Sequence, residues 1–73
     1  MDAEMMESTV KIHLAEIRSR LERAAGIAKA ADACACAGNV EKAIEIALDI
    51  EQPIHEVNSF LNAASMLYRL QRT

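Results

Sequence analysis

From Val10 to Ala35 the apolar residues recur in alternating steps of four and three: Val10, Leu14, Ile17, Leu21, Ala24, Ala28, Ala31, Ala35. That spacing marks one seam of an α-helix packed lengthwise against another. Large branched side chains fill the first half of the seam and alanine alone fills the second. A change from large to small marks where a neighbouring backbone can approach most closely. The pattern predicts one long helix beginning near Ser8 or Thr9, either of which can cap it. It should run to about Ala37, where Gly38 supplies the left-handed residue that ends a helix.

Asn39 is expected to cap a second helix over Val40 to about Glu51, and Pro53 to open a third segment reaching Arg69 or Gln71. Only Glu51 and Gln52 separate those two patterns. Proline is favourable at the start of a helix, yet it pushes the preceding residue out of helical geometry. The chain therefore either kinks at Pro53 or reverses there. At ~1.5 Å per residue the first helix is roughly 44 Å long, and the later two together match it. The expected fold is all-α: a helical hairpin of one long helix and a second arm broken at Pro53, pairing into a homodimeric helical bundle. The alternative is a three-helix bundle. Residues 1–73 should form a single domain, with residues 1–7 as a frayed tail. The segment Ala30-Ala31, Cys34, Gly38 to Ile44 resembles the turn region of a tetratricopeptide repeat, which implies a tight helical hairpin there; no second repeat follows.

Seventy-three residues lie in the range where a single core is marginal. Between Ala24 and Ala37 the only charged residues are Lys29 and Asp32, so the helix is apolar almost all round. Such a helix is surrounded by others, and one hairpin supplies only one neighbour. A second copy is the expected source of the rest, with Leu21, Ala24, Ala28, Ala31 and Ala35 as interface residues. Charge placement agrees. Lys11, Arg18, Arg20 and Arg23 precede the acidic Glu41, Glu45, Asp49, Glu51 and Glu56, and an antiparallel partner brings the two groups together.

The function classes narrow by chemistry. A net charge of −3 does not suit a nucleic-acid or anionic-membrane surface, and glutamates interleave Arg18, Arg20 and Arg23. The acidic start, with Asp2, Glu4 and Glu7, is not a signal peptide, and no apolar tract is long enough to span a bilayer. A cytoplasmic protein without membrane contact is expected. No cofactor or metal is expected either: His13 and His55 lack ligand spacing, and Cys34 and Cys36 point ~200° apart on a helix. The two thiols read as buried small hydrophobes. Glu16 and Glu56 could approach each other, but no catalytic constellation accompanies them. The expectation is a small non-enzymatic helical protein that self-associates and binds another protein. Asn58, Asn62 and Ser65 form its candidate partner strip, and a regulator acting on nucleic acid is the alternative.

Overall fold

The computed structural model describes residues 2–72, and these form three helices joined by two short turns. Helix α1 spans Ala3–Cys36, α2 spans Val40–Leu48 and α3 spans Glu51–Arg72. Both α2 and α3 pack against α1, so the chain is a hairpin with one continuous arm and one broken arm. The molecule measures 54 × 15 × 13 Å, and a 34-residue helix accounts for that whole length at ~1.5 Å per residue. The three-helix bundle is not formed, because α3 continues along α1 instead of folding back.

The first helix starts earlier than expected. Asp2 is the cap: its Oδ1 accepts a hydrogen bond from the Met5 amide at 2.7 Å. Thr9 lies mid-helix, where its hydroxyl donates back to the Met5 carbonyl at 2.9 Å. Residues 3–7 are thus a helical turn and not a frayed tail, and Met6 is buried within it; Met1 lies outside the described residues. An acidic cap bonded to an open amide outcompetes the later Ser8 and Thr9, whose hydroxyls can be satisfied inside a helix.

The turn after α1 follows the expected chemistry. Gly38 adopts φ 94°, its amide donates to the Ala35 carbonyl at 2.9 Å, and the Asn39 amide reaches the Cys34 carbonyl at 3.1 Å. That pair of bonds satisfies carbonyls the helix end would leave open. Asn39 then caps α2, its Oδ1 accepting from the Lys42 amide at 3.1 Å.

The break in the second arm is smaller than the proline suggests. Asp49 and Ile50 donate to the carbonyls of Ile46 and Ala47, three residues back, so one tightened turn links the helices. Helix α3 opens at Glu51, two residues before Pro53. Amides of a first helical turn have no intrahelical partner, so Pro53 forfeits nothing by lacking one, and its ring is fully buried.

Burial identifies the seam. On α1 it is Met6, Val10, His13, Ile17, Arg20, Ala24, Ile27, Ala31 and Cys34, buried or half-buried, again in steps of four and three. On the second arm Ala43, Ile46, Ile50, Pro53, Val57, Phe60, Ala64 and Leu67 keep the same rhythm across the break. The predicted stripe shares Val10, Ile17, Ala24 and Ala31 with this seam, but its other members lie on an outer row. Leu14 and Leu21 are exposed, at 53% and 46%, and Ala28 is exposed too. The apolar surface of α1 is wider than one seam, and the hairpin takes the side that carries His13 and Arg20.

Gly26 lies mid-helix with open space around the position of a Cβ. Glycine there costs backbone entropy and contributes no contact. Gly26→Ala is expected to stabilise the fold by about 0.5–1 kcal/mol, read as a higher denaturation midpoint with unchanged slope.

Candidate functional site

Two features stand out along the hairpin: a polar layer inside the seam and an apolar face outside it. The polar layer is built on Phe60, which α3 turns toward α1. His13 meets its ring edge-on with centroids 5.6 Å apart, and the Arg20 guanidinium lies over the ring at 4.7 Å. Arg20 pairs with Glu16 one turn earlier and with Glu56 of α3, where Nε to Oε1 is 3.6 Å. The last distance is an ion pair but too long for a hydrogen bond, and Nε has no such partner. His13 Nδ1 lies 2.8 Å from the Thr9 carbonyl. Glu16 and Glu56 do come near each other, as the sequence suggested, but a permanently charged guanidinium stands between them. Chemically this is a clamp joining the two arms, with the Arg20 guanidinium covering the aromatic ring.

Removing the clamp should cost stability through packing more than through charge. Arg20→Ala is expected to lower unfolding free energy by about 1–2 kcal/mol. Arg20→Leu should stay within about 1 kcal/mol of the native chain, because an apolar side chain suits a seam position. Urea titration of the two variants measures both.

The apolar face uses the outer row of each arm. On α1 the row is Leu14, Leu21, Ala28 and Ala35, at seven-residue spacing; on the second arm it is Val40, Ala47, Ile54, Leu61 and Tyr68. Both rows lie on one side of the hairpin. Glu7 begins the α1 row and Tyr68 ends the other, and together with Ala3, Val10, Lys11 and Ala64 they line one groove of about 450 Å³. Arg23 and Asp49 share a concavity on the opposite side. The outer rows leave Val40 58%, Ile54 39% and Leu61 51% exposed. These are large apolar side chains lying in line, not scattered singly, which marks an interaction surface.

The residues expected at an interface therefore separate. Ala24 and Ala31 are buried within the hairpin, Ala35 is half-buried, and Leu21 and Ala28 belong to the open face. Asn58 and Asn62 are exposed and Ser65 is half-buried, all on α3. Glu56 sits against Arg20 within one hairpin, whereas the charge pattern of the sequence points to pairing across two copies. The sequence reading missed Met6, His13, Arg20, Ile27 and Cys34 as seam residues. Their seven-residue spacing, which alternates with Val10, Ile17, Ala24 and Ala31, was visible, but His13 and Arg20 read as polar and hid it.

Among the described residues no group of three or more His, Cys, Asp or Glu could hold a metal ion, and no helix is long and apolar enough to cross a membrane. No protein-family model matches the chain, and neither a curated protein nor a solved structure shows significant similarity to it.

The thiols differ from the expectation that both are buried. Cys34 is half-buried, with Sγ 3.5 Å from the Asn39 carbonyl that it can donate to, while Cys36 ends α1 in the open. Burial fails at Cys36 because the two point to opposite sides of the axis and only one side faces α2. Under native conditions a mild alkylating reagent should modify Cys36 rapidly and Cys34 slowly. Mass spectrometry after timed quenching distinguishes the sites.

Proposed function

We propose that this is a small non-enzymatic protein that pairs with a second copy through the apolar face and binds another protein through the polar strip of α3. The observation that carries the reading is the continuous outer row of Leu14, Leu21, Ile54 and Leu61, exposed on a chain whose buried residues are mostly alanine. The surface area points the same way. The hairpin exposes 5500 Å² at a mass of 8.0 kDa. A compact protein of that mass exposes about 4,500 Å². The excess of about 1,000 Å² is close to the ~800 Å² per partner of a standard stable interface.

Charge pairing favours a protein partner over nucleic acid. Lys11 is paired with Glu7, Arg18 with Glu22, and Arg20 with Glu16 and Glu56. Bases each set beside a carboxylate give no continuous positive surface, which makes a poor track for phosphates. Asn58, Asn62 and Ser65 offer neutral donors and acceptors beside the apolar rows, as the rim of an interface does.

Light scattering should give a dimer mass across the micromolar range. Leu14→Asp with Leu61→Asp should give a monomer of unchanged helicity, since neither side chain supports the hairpin seam. A monomer mass for the native chain would remove the proposal. For the partner strip, alanine at Asn58, Asn62 and Ser65 should leave the dimer intact and abolish retention of a protein that the native chain retains.

A further inference from the structure

The two sides of the apolar face are graded in size along the rod, and the grading selects one orientation for a second copy. We infer that two hairpins pair face to face with their turns at opposite ends, α1 lying antiparallel on α1 of the second copy and crossing it at Leu21. The orientation rests on the self-association proposed above.

In this arrangement Leu21 meets its own copy at the two-fold axis. Leu14 and Ala28 stand seven residues on either side of Leu21, so each Leu14 lies against Ala28 of the second copy. The second arm repeats the scheme about Ile54. Leu61 and Ala47 stand seven residues to either side, and Leu61 falls against Ala47 of the second copy. The contact between Arg20 and Glu56 places Leu21 and Ile54 near the same height along the rod, so one axis serves both arms. On either side of the axis Leu14 and Leu61 then meet alanine, while Leu21 and Ile54 meet their own copies at it; pairing large with small is how close-packed interfaces fill space. With the turns at the same end, α1 would face the second arm of the partner. Leu14 would meet Leu61 and Ala28 would meet Ala47, crowding one end and leaving the other hollow.

Charge selects the same orientation. Lys11 and Arg18 flank the α1 row toward its start, and Asp32 flanks it near the turn. Lys11 and Asp32 stand ten and eleven residues from Leu21, so the antiparallel copy sets each Lys11 beside Asp32 of the other chain. The bond of Lys11 to Glu7 is a weak surface pair, with Lys11 74% exposed, and does not hold it back. With the turns together, Lys11 would face the Ser65 region and Asp32 the Ile44 region, with no opposite charge for either.

The test is disulfide trapping in a Cys34→Ala, Cys36→Ala background, with light scattering and circular dichroism on each variant. Leu21→Cys should oxidise to a covalent dimer, and Leu14→Cys alone should not. A mixture of Leu14→Cys and Ala28→Cys chains should cross-link. Lys11→Asp should weaken the dimer about fivefold to tenfold, and adding Asp32→Lys should restore it. A dimer that cross-links only through Leu21→Cys combined with Ile54→Cys would overturn the orientation and leave self-association standing. A native chain that stays monomeric would overturn both.

Discussion

Everything in this molecule depends on keeping one seam in register along two arms, of which one is interrupted. The seam advances in steps of four and three on α1, and the second arm must match it from Ala43 to Leu67. The turn at Asp49 and Ile50 could have rotated α3 out of phase. It does not, because a single tightened turn with bonds three residues back replaces ordinary helical bonds without adding or removing a residue from the rhythm. Ile50 and Pro53 then fall on the seam, and the proline ring becomes packing material. A residue that ordinarily punctuates a helix serves here as part of the core.

The four alanines that, with Met6 and Pro53, are the most buried part of the seam explain why the polar layer matters. Ala24, Ala31, Ala43 and Ala64 let the arms approach closely, but small side chains interlock weakly and permit sliding by a turn. Phe60 breaks that degeneracy. It is the one phenyl ring on the seam, and His13 and Arg20 enclose it on α1. Sliding α3 by one turn would remove the ring from both and take Glu56 from Arg20. A polar residue at a seam position can fix register at some cost in stability. The geometry of Arg20 fits that role.

The sequence made the class and the hairpin turn legible, because Gly38-Asn39 carries direct physical meaning; the matched arm lengths favoured a broken arm and left a reversal at Pro53 open. The phase of the seam was not legible. Two adjacent apolar rows on α1 share Val10, Ile17, Ala24 and Ala31, and hydrophobicity alone favours the row containing Leu14 and Leu21 over the one containing His13 and Arg20. The same ambiguity affects the second arm, where Ile54 and Leu61 share a three-and-four spacing with Val57 and Ala64 and are nevertheless exposed. What decides between the rows is pairwise: an aromatic ring on α3 has to be met by something on α1. That information lies in the combination of two distant segments and not in the periodicity of either.

The apolar surface is therefore wider than the hairpin uses. Folding consumes the side with the alanines, the histidine and the arginine. The side with the larger leucines stays open. The division is not one of size, since Met6, Ile17, Ile27, Ile46, Ile50, Phe60 and Leu67 lie on the seam. It is one of phase: once His13 and Arg20 meet Phe60, the row beside them is left outside. Most seam residues are only half-buried, so the area they bury is modest against the chain entropy that folding costs. Among the described residues, six of the twelve exposed large apolar side chains, Leu14, Leu21, Val40, Ile54, Leu61 and Tyr68, lie on the outer rows and keep their spacing along both arms.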